Sequence, residues 1–137
     1  MANITQRQKL EQGRADFAFK SATTGYNSHQ KEYAPAVKKL PMMIKTNGLG
    51  ATIAFMFSKG KTLGTILKNL DEWVNDKENL KTQDILKNTE GGTLVQKVLN
   101  LNSSEYRILT IEVIAYLNWL RRFAEGITKE TESKQKP

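Results

Sequence analysis

The sequence predicts an all-α protein, folded as a single-domain bundle of about six helices around a long C-terminal central helix. The first observation is that Ser103 to Ile127 has unbroken helical periodicity, with apolar residues spaced by threes and fours. The second is that no segment alternates apolar and polar residues as a half-buried strand would. The third is that a chain of 137 residues is long enough to bury one hydrophobic core without help from disulfides, which agrees with its lack of cysteine. We therefore expect a bundle over residues 1–127 and a disordered polar tail over 128–137.

The first predicted helix covers residues 5–22. Thr5 is a suitable N-cap, and Leu10 and Phe17 belong to an apolar stripe with helical spacing. The following run, T-T-G-Y-N-S-H-Q at 23–30, contains glycine and asparagine, which are typical of turns. We therefore expect a loop between the first and second helices.

The second helical region, residues 30–46, is interrupted by proline. Pro41 has no N–H to bond back one turn, so the helix should kink there or restart with Pro41 at its first position. Asn47-Gly48 then provides a C-terminal cap. The next helix, 49–59, is short and so apolar that we expect it to be buried on most sides.

A further helix begins at Thr62, with an apolar face that we expect to pack on the central helix and an acidic cluster opposite it. Residues 77–92 are polar and end in two glycines, with one short helical piece near 82–88. Another short helix is predicted over 93–100.

The central helix is predicted to begin with a capping box formed by Asn102 and Glu105 and to end near Gly126. Two apolar rows should cover most of its circumference, so that it packs on several sides. The first row contains Tyr106, Leu109, Val113, Leu117, Leu120, Ala124 and Ile127. The second contains Ile108, Ile111, Ala115, Trp119 and Phe123. The remaining polar strip contains Arg107, Thr110, Asn118, Arg121, Arg122 and Glu125.

Several functional classes find no support in the residues. The glycines at 48–50 and 60 do not fit the spacing of a dinucleotide or phosphate-binding loop. His29 is the only histidine and is expected on the surface of a polar loop. Glu72 and Asp76 are better explained as a solvated acidic face than as a metal site. We therefore predict no catalytic site, no metal and no cofactor.

The first residues, M-A-N-I-T-Q-R-Q-K, contain no apolar run typical of a signal peptide, and no segment approaches the roughly 20 apolar residues that a membrane span needs. We expect a cytoplasmic protein that is not bound to a membrane. Trp73 and Trp119 lie in apolar stripes, where core packing is a simpler explanation than base stacking.

Positive charge is concentrated in one segment. The net charge is +7, and residues 38–61 contain five basic residues and no acidic residue. Such a segment favours a surface for phosphates, although lysines also serve simply to keep a protein soluble. The candidate members of such a surface are Lys38, Lys39, Lys45, Arg107, Arg121 and Arg122. Folding could bring these groups together into one patch.

Two stretches carry a family resemblance. They are K-K-L-P-M-M-I-K-T-N-G-L-G-A-T-I-A-F at 38–55 and S-S-E-Y-R-I-L-T-I-E-V-I-A-Y-L-N-W-L-R-R-F-A-E at 103–125, with R-A-D-F-A at 14–18 in support. Together they resemble the small helical subunit of the type III-B CRISPR effector, the Cmr complex. The acidic, polar segment 76–92 has no counterpart in the family pattern.

The resemblance implies a non-catalytic bundle present in several copies. The copies would stack head to tail beside the other Cmr subunits and line the channel that holds the guide RNA and its target RNA. The six basic candidates would then contact nucleic-acid backbone or adjacent subunits. The alternative is a free-standing helical nucleic-acid-binding module such as a helix-turn-helix regulator, which would need an exposed recognition helix.

Overall fold

The computed structural model describes residues 5–86 and 93–135. The predicted all-α class is confirmed, because these residues form eight α-helices and one 3₁₀ turn and contain no strand. The helices are α1 (Gln6–His29), α2 (Tyr33–Lys38), α3 (Leu40–Asn47), α4 (Leu49–Lys59), α5 (Lys61–Val74), α6 (Leu80–Leu86), α7 (Leu94–Val98) and α8 (Ser103–Gln135). The 3₁₀ turn, Gln30–Glu32, separates α1 from α2.

The C-terminal helix is central, as predicted. It packs against α1, α2, α3 and α6, and the capping box of Asn102 and Glu105 is present, with N···O distances of 3.0 and 2.9 Å. The first apolar row supplies the buried face. Its fully buried members are Leu109, Val113, Leu117, Leu120 and Ala124.

The second apolar row is not buried as predicted. Ile111 is 57% exposed, and the other members of the row are only half-buried. The side chains that α8 buries beside its first row are instead Glu112 and Tyr116. The physical reason is that the other helices cover one side of α8 and leave the opposite side to solvent.

The predicted loop at 23–30 is wrong, because α1 continues to His29. The hydroxyl of Thr23 donates to the carbonyl of Phe19 at 3.0 Å, an arrangement that keeps threonine within a helix. Gly25 is required for packing rather than for a turn. A Cβ at this position would lie 2.1 Å from Cε1 of Tyr33, so only glycine lets the Tyr33 ring lie against α1.

The proline and glycine signals in the next segment are confirmed. The chain restarts as α3 with Pro41 in its first turn, and Gly48 ends α3 with a φ of 91°. The expectation that 49–59 is buried on most sides is wrong. In α4, Phe57 is 66% exposed, because only one face of the helix, through residues such as Leu49 and Ile53, reaches the core.

The apolar face of α5 is buried as predicted, but its main neighbours are α1, α2 and α4 rather than the central helix. Trp73 reaches α8, where its ring lies 6.3 Å from that of Tyr116. The short helices α6 and α7 correspond to the pieces predicted at 82–88 and 93–100, although 87 and 88 lie outside the described residues.

The end of the last helix differs from the prediction. Gly126 does not stop α8, which continues to Gln135 instead of giving way to a disordered tail after Ile127. The Thr128 hydroxyl donates to the Ala124 carbonyl at 2.8 Å, and Lys134 pairs with Glu130 one turn earlier. These contacts lie within the helix and support an extension that is polar but contains no proline before residue 137.

The carboxylate of Glu112 on α8 joins three helices inside the bundle through an ion pair with α1 and a hydrogen bond from α5. Arg14 of α1 donates from Nε and Nη2 to the two carboxylate oxygens of Glu112, both at 2.7 Å. Trp73 Nε1 donates to the same carboxylate at 3.0 Å. The Glu112 side chain is 1% exposed, and its hydrogen bond raises the pKa of Arg14. The buried negative charge is therefore satisfied from two sides.

Candidate nucleic-acid interface

Residues 38–61, which contain no acidic residue, are called here the acid-free segment. Its lysines point to solvent because the other faces of their helices form the core. In α2, Tyr33, Ala34 and Val37 are buried, and in α3 the buried residues are Leu40, Pro41 and Ile44. These positions leave three exposed lysines at the ends and outer faces of α2 and α3. They are Lys38, Lys39 and Lys45.

Folding adds a fourth lysine to this surface. The Nζ atoms of Lys39 and Lys59 each lie 5.7 Å from the ring centroid of Phe55, which is half-buried on α4. Lys39 and Lys59 are 20 residues apart in the sequence, yet their ammonium groups contact the same aromatic ring. Lys59 was not among the candidates, although its membership of the acid-free segment was a signal that could have found it.

The positive charge of this surface is not neutralised by nearby carboxylates. Within 5–86 and 93–135, none of the five lysines in 38–61 forms an ion pair. The ion pairs seen in these ranges lie elsewhere, at Arg14–Glu112, Lys20–Asp16 and Lys134–Glu130. The charge is therefore available to an external anion.

A hydrogen bond ties the α3–α4 corner to the start of α8. The backbone N–H of Gly50 donates to the hydroxyl of Tyr106 at 2.7 Å. Lys45 lies in the last turn of α3, just before this corner, and Arg107 follows Tyr106 on α8 and is exposed. The two candidates thus belong to elements that meet at one corner of the bundle.

Arg121 and Arg122 lie farther along α8. Fourteen residues separate Arg107 from Arg121, which is roughly 21 Å along a helix. Arg122 is exposed, whereas Arg121 is half-buried and its Nε has no hydrogen-bond partner among the described residues. The six candidates therefore do not form one compact patch. They are spread over the α2–α4 surface and along one helix.

His29 differs from the prediction of a surface loop. It lies in the last turn of α1, with Nε2 at 2.8 Å from the Thr65 hydroxyl and Nδ1 at 3.2 Å from the Thr62 hydroxyl. Its ring stacks on Tyr33 with an interplanar angle of 11°. The histidine therefore holds the end of α1 against the start of α5.

The two tryptophans have different environments. Trp73 is 1% exposed and belongs to the core, as predicted. Trp119 was predicted to be in the core but is only half-buried at its edge, where it packs against the core and stacks on Phe123 at 5.6 Å. Across the portion of the chain that the structure describes, no three acidic or histidine side chains are grouped as metal ligands, and no helix is long and apolar enough to cross a membrane.

Comparisons with known proteins agree with this architecture. A family model described as CRISPR-associated protein (Cas_Cmr5) matches residues 10–127, a range that contains all six basic candidates. The chain is 28% identical over 99 residues to the CRISPR system Cmr subunit Cmr5 of Thermus thermophilus, covering 72% of this chain and 77% of that protein. The fold is similar to the X-ray crystal structure of a CRISPR-associated Cmr5 family protein, also from Thermus thermophilus. That comparison has a TM-score of 0.68 at 21% identity and covers 85% of this chain and 96% of the other.

Proposed function

Because the chain belongs to the Cas_Cmr5 family of CRISPR-associated proteins, we propose that it is the non-catalytic small subunit of a type III-B CRISPR RNA-guided effector, the Cmr complex. In this proposal several copies stack along the channel that holds the guide RNA and its target RNA, in the cytoplasm. The subunit supplies positive charge to the RNA backbone and serves antiviral defence, while neighbouring subunits cut the RNA.

The observation that carries the proposal is the set of exposed lysines on α2, α3 and α4 and in the turn between α2 and α3. Lys38, Lys39, Lys45 and Lys59 lack described carboxylate partners, so their charge is directed outward. Ammonium groups attract phosphates whatever the base sequence, because backbone contacts hold a strand without reading it. Such contacts suit a complex whose sequence specificity comes from base pairing with a guide RNA.

A helix-turn-helix regulator is less well supported. It would insert one exposed recognition helix into the major groove of DNA. The longest helix, α8, instead buries its first apolar row beneath four neighbouring helices. Its candidate arginines are also not grouped in one turn, because Arg107 and Arg121 lie roughly 21 Å apart along the helix.

Stacking of copies is supported by apolar side chains that the bundle leaves exposed. Ile111 of α8 is 57% exposed and lines an open groove with Leu10 and Ala115, and Phe19 of α1 is 50% exposed. On α3 and α4, Met42 and Phe57 are each 66% exposed. Head-to-tail association needs two different surfaces on each copy, and these side chains are divided between two pairs of helices, α1 with α8 and α3 with α4.

Replacing Ile111 tests the stacking. Ile111→Lys should leave the melting temperature nearly unchanged, because the side chain is mostly solvated, but it should lower the number of copies in the assembled complex. Native mass spectrometry counts the copies. Leu99→Lys is the matched control, since Leu99 is 80% exposed and lies elsewhere, just after the end of α7. A full set of copies with Ile111→Lys would show that this surface is not used.

Leaving the subunit out of the complex tests the division of labour. The remaining subunits should cleave a saturating target RNA at an unchanged rate, because this chain is proposed to take no part in the chemistry. At target concentrations below saturation, cleavage should slow, because the backbone contacts are missing. A cleavage rate that falls at saturating target and returns when the wild-type chain is added back would contradict the non-catalytic role.

A further inference from the structure

We propose that Lys39, Phe55 and Lys59 form one binding site for adjacent phosphates of an RNA strand. In this site Lys59 itself contacts a phosphate. This inference rests on the proposed function and deepens it. It adds to the basic surface a residue that lies on another helix and is brought in by folding alone.

The geometry fixes the site to a small area. Each of the two Nζ atoms lies 5.7 Å from the Phe55 centroid, so they are at most about 11 Å apart, which is twice that distance. A lysine ammonium is attracted to the face of an aromatic ring, and this contact restricts an otherwise flexible side chain. Phe55 therefore holds in position two long side chains, one from the turn between α2 and α3 and one from the end of α4.

The site lacks an anion of its own. No described carboxylate pairs with either lysine, and Phe55 contacts both ammonium groups but carries no charge. A strand whose adjacent phosphates each contact one ammonium group would neutralise both charges, so the free protein presents a preorganised cationic site.

The neighbouring residues favour a nucleic-acid backbone over an acidic protein segment. Lys38 and Lys61 are exposed and lie one residue before Lys39 and two residues after Lys59, so positive charge extends beyond the two ammonium groups. A strand with a negative charge at every nucleotide can use such a field repeatedly. The ring of Phe55 already contacts two ammonium groups and is half-buried, so it is a poor platform for a base. The site would therefore read charge rather than sequence.

Binding of target RNA by the assembled complex, measured over a range of KCl concentrations, tests the site. Lys59→Gln should flatten the log-log salt dependence by about 0.7 to 0.9, the value for one lost phosphate contact. Lys68→Gln is the matched control, because Lys68 is an exposed lysine on α5 outside the acid-free segment, and its slope should not change. Phe55→Leu retains both charges, so it should keep the slope but weaken binding about twofold to fivefold.

A Lys38→Glu, Lys45→Glu double variant separates this inference from the broader proposal. If the double variant flattens the slope and Lys59→Gln does not, the shared site is overturned while backbone binding by the subunit stands. If neither changes the slope, the RNA-binding proposal fails as well. Loss of Lys59→Gln subunits from the complex at an unchanged slope would assign Lys59 to a protein contact and overturn the site.

Discussion

Glu112→Ala should lower the free energy of unfolding by about 3 to 5 kcal/mol, the usual cost of removing one partner from a buried ion pair. The carboxylate accepts hydrogen bonds from Arg14 and Trp73, and its removal leaves both donors without an acceptor. The Arg14 side chain is only 15% exposed, so its charge would lose its partner where water reaches it poorly. Urea unfolding followed by circular dichroism measures the loss.

Two further variants identify the cause. An Arg14→Met, Glu112→Leu double variant should recover much of the stability, because replacing both partners by apolar groups removes the uncompensated charge. Glu125→Ala, a change of the same type at a partly exposed position of α8, should cost little. If Glu112→Ala were as mild as Glu125→Ala, the buried pair would not hold α1, α5 and α8 together.

The second large effect concerns the lysine surface. A Lys38→Glu, Lys39→Glu, Lys45→Glu triple variant should fold normally, because all three side chains are exposed. It should weaken binding of target RNA by the complex on the order of a hundredfold at about 50 mM salt, since three attractive contacts become repulsive. The loss should be similar for targets of different sequence.

A charge-matched triple variant controls for the altered net charge. Lys9, Lys68 and Lys129 are exposed lysines on α1, α5 and α8, away from the acid-free segment. Their joint replacement by glutamate should leave affinity within a few-fold of wild type. Equal losses in both triple variants would mean that only total charge matters, and the lysine surface would have no special role.

Local signals predicted the class of fold well. The first apolar row of α8, the caps at Thr5 and Asn102 and the restart at Pro41 all depend on residues close together in the chain, so the sequence contains them directly. The buried face of α5, including Trp73, was also predictable from spacing alone.

Features that depend on distant residues were missed. Gly25 has the sequence signature of a turn, yet it is small because Tyr33 of the next helix lies against it. Glu112 is charged, and its burial depends on Arg14, 98 positions earlier in the chain. Lys39 and Lys59 likewise contact the same ring, that of Phe55, only because α3 and α4 fold back on each other. Periodicity within a helix cannot specify which partner lies across from it.

The salt dependence of target RNA binding is the most direct test of the central claim that this subunit neutralises RNA phosphates. It is measured in complexes assembled with the wild-type chain or with the Lys38→Glu, Lys39→Glu, Lys45→Glu variant, at equal subunit incorporation. We expect the variant to flatten the log-log slope by about 2 to 3 units, at roughly 0.7 to 0.9 for each of three lost contacts. An identical slope in the two complexes would contradict the account, because the three lysines would then contact no RNA phosphate.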